Sequence, residues 1–271
     1  MSELEQLKIE IAQLYDTNTE LNTKLRLAES LKSNFISNIM NEIYNPFSAI
    51  KMMADNLIHL NEKSFDRIVP MAETIYREAA QLDFHLQNVF AAAKIEAGLE
   101  SVHFTEVDLS QLLQEALNFF KIPIQDKHLK LEHKININNQ KPFVNDRDKI
   151  ALTLLNLLSN AIKNCPDHGT ISIDVDLKED VLNMNVSDDG PGIPKSEVDF
   201  IFDRFRRVND TINSVNGGTG LGLSVVKAIT ELLGGEIELN ADRGTKISIS
   251  IPGNMPLPIE DDDPFPEDEL F

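Results

Sequence analysis

Apolar residues in the first stretch recur three and four apart, at Leu4, Leu7, Ile11, Leu14, Asn18, Leu21, Leu25 and Ala28. Kept over several heptads, that spacing predicts a two-stranded coiled coil over residues 1–30. The competing reading is an amphipathic helix packed on its own chain. Asn18 falls on the stripe, where one buried amide sets register and strand number. The stripe slips near Leu31 and resumes at Phe35, Ile39, Ile43, Phe47, Ile50, Met53 and Leu57. After a break at 59–64, a second helix is predicted from Ile68, Ala72, Ile75, Ala79, Leu82, Leu86, Val89 and Ala93, with Gly98 as its C-terminal stop. Two helices joined by a short link form a hairpin over residues 31–100. Such a hairpin is half a core, and pairing two copies into a four-helix bundle buries both apolar faces. A parallel homodimer is therefore expected.

From about residue 105 the pattern changes. Residues 107–120 read as a helix, 129–137 as an alternating strand and 146–164 as a strongly apolar helix. Strands follow at 171–177 and 181–186, then a glycine-rich turn, a polar stretch, a helix at 221–233 and strands at 236–240 and 246–251. Strands with helices on one face predict a two-layer α/β sandwich over 105–253. The expected fold class is thus a coiled coil, a dimeric helical hairpin and a C-terminal α/β sandwich. The remaining 254–271 read as a disordered tail: from Ile259 onward it has seven acidic residues and no basic one.

Composition narrows the function. A hydrophobic fraction of 42% over 271 residues supports real cores. A net charge of −19 repels phosphate backbones, which argues against nucleic acid and anionic membranes as partners. No apolar run reaches membrane-spanning length, and the opening segment is unlike a secretory signal, so no membrane insertion and a cytoplasmic setting are expected. Cys165 is the single cysteine, which excludes a disulfide framework and reads as a small buried residue.

Three motifs carry chemistry. In the 146–164 helix, Asn156 and Asn160 lie one turn apart on one face, with Lys163 on the neighbouring turn. Amide oxygens suit Mg²⁺, which needs few protein ligands, and the lysine suits phosphate. Alone, this is a polar edge on an apolar helix. Behind a strand comes Asp188-Asp189-Gly190-Pro191-Gly192-Ile193-Pro194, where glycines allow tight turns and a buried carboxylate can accept an amino group. Third is Gly217-Gly218-Thr219-Gly220-Leu221-Gly222-Leu223, opening a helix whose free N–H groups suit phosphates.

In this order the motifs resemble those of two-component sensor histidine kinases, within the superfamily of gyrase-, Hsp90- and MutL-type ATPases. The resemblance covers about residues 30–251. It implies Asn160 as the Mg²⁺ ligand, Asn156 beside it, Lys163 on phosphate and Asp188 on adenine, with Gly190, Gly192 and Thr245 also binding ATP. Residues 201–207 resemble the phenylalanine motif that opens the mobile ATP lid. Arg206 or Arg207 would reach the γ-phosphate, the alternative being a solvated arginine. Gly218, Thr219, Gly220, Leu221 and Gly222 would close the far end. ATP and Mg²⁺ are the implied cofactors. Asn164 departs from the pattern, because many relatives carry an adenine-stacking aromatic there.

Residues 35–46 resemble the phosphoacceptor box, but the residue before Glu42, where the family has its phosphorylated histidine, is Asn41. Asn41 lies about 200° round the helix from Ile39, away from the apolar stripe. Pro46 cannot donate to the Glu42 carbonyl, so a bend is expected there. An amide nitrogen's lone pair is delocalised, and the amide oxygen is a feeble nucleophile; positioning and Mg²⁺ do not supply an acceptor. Autophosphorylation at 41 should be absent. His59 and His85 are the other hairpin histidines, and neither has a neighbouring glutamate in sequence to orient it. What survives is Glu42 with Asn45, whose family role is to orient water against the aspartyl-phosphate of a response-regulator receiver. Asn45 equally precedes a proline in a bent helix. Three readings stand: a regulator or phosphatase of a receiver domain, a non-enzymatic dimeric interaction module, and an acceptor-substituted form of a working kinase.

Overall fold

A computed structural model of the chain describes residues 3–60, 66–138, 142–203, 220–241 and 244–253. It divides into two compact units, Met1–Ala92 with Asp199–Ser224, and Ala93–Val198 with Val225–Phe271.

The first unit is dominated by α1 (Glu3–Ile58) and α2 (Ile68–Glu96). Helix α1 does not break where the stripe slips near Leu31, because a slip changes the apolar face without costing a backbone hydrogen bond. It also runs through Pro46, and only one backbone donor is lost there. Pro46 is buried while its neighbour Phe47, assigned to the core stripe from sequence, is exposed. In α2 the buried positions are Met71, Phe84, His85, Asn88 and Ala92. Most of that line is one residue, or about 100°, round from the predicted stripe. The predicted positions Ile75, Leu82, Leu86 and Val89 are half-buried beside it. The apolar face is therefore wider than one stripe. Helix α2 ends as expected: Gly98 adopts a φ of 65°, and the N–H groups of Gly98 and Leu99 return to the carbonyls of Ile95 and Lys94.

The second unit contains β1 (Thr105–Glu106), α3 (Leu109–Phe119), α4 (Lys121–Asp126), β2 (Lys130–Asn138), β3 (Val144–Asn145), α5 (Arg147–Asn164), β4 (Thr170–Lys178), β5 (Val181–Asp188), most of α6 (Gly222–Leu232), β6 (Glu236–Asn240) and β7 (Thr245–Pro252). Five strands form one mixed sheet in the order β2-β4-β5-β7-β6, parallel only between β2 and β4. Strict alternation of buried and half-buried residues along β4 and β5 puts one face of the sheet on the core. Ile171, Ile173, Leu182 and Met184 are buried on the core face of the sheet, and on α5 Ile150, Leu154, Leu157 and Leu158 are fully enclosed. Val225, Val226, Ile229 and Leu233 complete the layer. The expectation of a helix over 107–120 is corrected at its start. Val107 donates its N–H to Phe143, and Asp108 is the N-cap, its carboxylate accepting from the Gln111 N–H at 2.9 Å. Two-residue strands β1 and β3 pair beside it.

Lys127 secures the end of α5. Its ammonium donates to the carbonyls of Ile162, Lys163 and Cys165 at 2.8, 3.1 and 2.8 Å, where a helix leaves its carbonyls orphaned. Cys165 is buried and free, as expected, and burial pushes its thiol up from the ordinary value.

Candidate functional site: the nucleotide face and the acceptor box

Helix α5 and the β5–β7 pair build the nucleotide face. Asn156 is buried and its amide donates to the Leu152 carbonyl at 2.9 Å. One turn on, Asn160 is half-buried, and Lys163 follows at the same depth. Asn164 folds back along the helix, donating to the Asn160 backbone carbonyl at 2.8 Å and to its side-chain oxygen at 3.0 Å. The residue standing in the aromatic's place thus fixes the amide that the motif assigns to the metal.

Asp188 ends β5, opposite Thr245 at the head of β7. It is buried, and burial drives its carboxyl above the ordinary aspartate value. The neighbouring charge of Asp189 adds to this, while the N–H groups of Gly190 and Thr245 partly restrain it. Gly190 donates to the Asp188 carboxylate at 2.8 Å. A methyl group at 190 would strike that carboxylate and lie 2.9 Å from the Asn164 carbonyl, so the loop lies against the end of α5. Gly192, at a φ of 74°, would place a methyl 2.6 Å from the Ala241 carbonyl. Gly244 escaped the sequence reading. At a φ of 75° it passes over the Asp188 carbonyl, and any side chain there would collide with it. A glycine just ahead of a strand was the available signal.

The face brings together Asn156, Asn160, Lys163, Asp188, Gly190, Gly192 and Thr245 within one unit. Gly220, at a φ of 71°, the buried Leu221, and Gly222 at the first position of α6 lie in the other. The Ser224 hydroxyl donates to the Leu221 carbonyl at 2.9 Å, securing that helix start. Arg206, Arg207, Gly218 and Thr219 lie outside the described residues. The donor set suits Mg·ATP: amide oxygens and an ammonium on one helix, a buried carboxylate, and a loop held bare of side chains.

A charged cluster at the start of α5 also went unread. Asp146 is the N-cap, accepting from the Lys149 N–H at 3.0 Å and the His103 N–H at 2.9 Å. The Lys149 ammonium bridges Asp146 at 3.0 Å and Glu100 at 2.8 Å. Burial opposes the charge on Asp146, but these donors outweigh it and hold its carboxyl below the ordinary value. Burial likewise opposes the charge on Lys149, and its two carboxylate partners raise it above the ordinary lysine value.

In the hairpin, Asn41 and Asn45 are both exposed on α1, and Glu42 between them is part-buried. Its Oε2 lies 2.8 Å from His85 Nδ1 on α2. The expectation that His85 lacks an orienting glutamate is therefore corrected. The partner comes from the other helix, 43 residues away, where no sequence neighbourhood reveals it.

Residues 145–255 match the family described as Histidine kinase-, DNA gyrase B-, and HSP90-like ATPase. This match supports an ATP-binding domain of the sensor-histidine-kinase kind over that stretch. Curated relatives agree. The hybrid signal transduction histidine kinase D of Dictyostelium discoideum is 29% identical over 92% of this chain and 16% of its own length. The sensor histidine kinase TmoS of Ectopseudomonas mendocina is 30% identical over 88% of this chain and 24% of its own. The chain thus spans well under two thirds of those relatives. The Acinetobacter baumannii histidine kinase AdeS superposes with a TM-score of 0.52 at 20% identity, covering 79% of this chain and 98% of that one, which shows a shared fold. Among the described residues, no helix is long and apolar enough to cross a membrane.

Proposed function

We propose that this chain binds Mg·ATP, does not phosphorylate itself at residue 41, and acts as a homodimer on the receiver domain of a response regulator, as phosphatase or regulator. Asn160 ligates Mg²⁺ beside Asn156, Lys163 and Arg206 meet phosphate, and Asp188 accepts the adenine amino group amid Gly190, Gly192 and Thr245. Gly218, Thr219, Gly220, Leu221 and Gly222 bring backbone N–H groups to the phosphates. The bound group supplies a transferable phosphoryl. The chain's own residues hold it and exclude water. Along the chain we assign a signalling coiled coil to 1–30, the dimerisation hairpin with its degenerate box to 31–100, the ATP-binding domain to 105–253 and an acidic tail to 254–271, in a cytoplasmic protein.

The observation that carries this reading is the exposed carboxamide of Asn41, at the place where an acceptor must stand. Its nitrogen lone pair is delocalised into the carbonyl and does not form a nitrogen–phosphorus bond. Asn45, exposed one turn later, keeps the polar group that water attack on an aspartyl-phosphate needs, and that step requires no histidine. Dimerisation is supported by Met40, Tyr44 and Phe47, which are 59%, 66% and 55% exposed in the single chain. The test is incubation of the purified chain with Mg·ATP carrying labelled γ-phosphate, alongside a phosphorylated receiver domain. Expected are ATP binding, no label at residue 41, and faster loss of receiver phosphate that Asn45→Ala removes. Receiver phosphate that decays at its own rate throughout would defeat the phosphatase assignment.

A further inference from the structure

The box carries a contact that bears on what its glutamate can do. Glu42 turns into the hairpin: its carboxylate and the His85 ring are 15% and 11% exposed, with Oε2 and Nδ1 2.8 Å apart. Asn41 and Asn45 on either side are exposed. Successive helical residues point about 100° apart. A carboxylate drawn to α2 is therefore drawn away from the line that residues 41 and 45 share.

We infer that His85 holds the Glu42 carboxylate in the hairpin interior and so withholds it from a nucleophile at residue 41. This rests on the proposed function and deepens it: the box is disabled twice, by the amide at 41 and by the capture of its carboxylate. Consider an imidazole placed at 41. Its ring-nitrogen lone pair forms the new nitrogen–phosphorus bond, while the bond from the γ-phosphorus to the bridging oxygen breaks, its electron pair leaving with ADP. Positive charge then develops on the ring, and a carboxylate accepting the other ring N–H stabilises it. Glu42 can reach that position only by leaving His85. A donor group held against a carboxylate is worth roughly ten- to a hundredfold in an equilibrium, and the reaction at 41 bears that factor. His85 touches no reacting atom; it is a positioning residue.

The test compares three full-length variants with labelled Mg·ATP: Asn41→His, Asn41→His with His85→Leu, and Asn41→His with His85→Gln. Expected is slow label at residue 41 in the first and label about tenfold faster or more in the second. The third should match the first, because a glutamine amide at 85 can donate to the carboxylate. A merely structural role for His85 predicts slower label in the leucine form. Leucine-form label no faster than in the single variant, absence of label from both included, overturns the inference. So does phosphate on residue 85. Should the leucine form fail to fold, ¹⁵N NMR of the unaltered chain decides. The His85 ring-nitrogen signals should shift on Glu42→Gln; an unresponsive ring overturns the inference. Phosphate on Asn41 of the unaltered chain would sink the proposed function instead, so the two failures are distinguishable.

Discussion

The two units finish their work to different degrees. The sheet unit encloses its core within one chain: Ile150, Leu154 and Leu158 have no exposed surface. Its site is held by its own backbone, with glycines pressed against Asp188 and a lysine closing α5. The hairpin leaves Tyr44, Phe47 and Tyr76 exposed, and Asn41 is exposed on α1 near the first two in sequence. One unit has the parts to hold a nucleotide. The other leaves apolar side chains exposed in the single chain. Under the proposed function, binding and transfer are separable, and only transfer depends on a single side chain.

That contrast can be broken at several points. The largest effect is expected in the enclosed core, where Leu158→Ala should destabilise the sheet unit by about 3–4 kcal/mol through lost burial and a cavity. Urea unfolding should show this loss independent of protein concentration. A concentration-dependent loss would mean that the sheet unit is not complete in one chain.

Next is the charged cluster at the start of α5. Lys149→Met leaves two carboxylates without their cation and should cost about 3 kcal/mol. Asp146, held below 3.8, contributes stability that is present above that value and lost as pH falls through its lowered folded pKa. Lys149, held above 10.5, contributes stability present below that value and lost as pH rises through its raised one. The variant should unfold at higher pH on the acid side. An unchanged acid midpoint would show that the cluster is not coupled to folding.

At the nucleotide face, Asp188→Asn should weaken ATP binding by about ten- to a hundredfold, the worth of a hydrogen bond to a charged acceptor. Because the Asp188 carboxyl sits above 3.8, protonation should begin to compete with nucleotide at a higher pH than for an ordinary aspartate. Affinity should therefore fall on acidification in that window, and the asparagine form should lose this dependence. Titration calorimetry across pH reads both effects. The smallest effect is on the hairpin. Tyr44→Ala should raise the dimer dissociation constant by about tenfold, as truncating a buried interface aromatic does. Sedimentation that shows only monomer for the unaltered chain would remove the contrast.

Where periodicity ran long, the elements were readable from residues alone. All five strands of the main sheet and both long helices lie within two or three residues of their predicted bounds, and β6 coincides at 236–240. The short strands β1 and β3 escaped because two residues carry no period, and Asp108 as N-cap moved the start of α3. The face of α2 was misjudged because it is apolar over more than one line. At the site, Asn156, Asn160 and Asp188 were legible through motif order. His85 with Glu42, and His103 with Asp146, were not, because each pair joins residues about 43 apart through tertiary packing.

The central claim concerns one side chain, and mass-spectrometric mapping of the unaltered chain after incubation with Mg·ATP tests it most directly. The account predicts bound nucleotide and an unmodified Asn41. Phosphate covalently attached to residue 41 would contradict it.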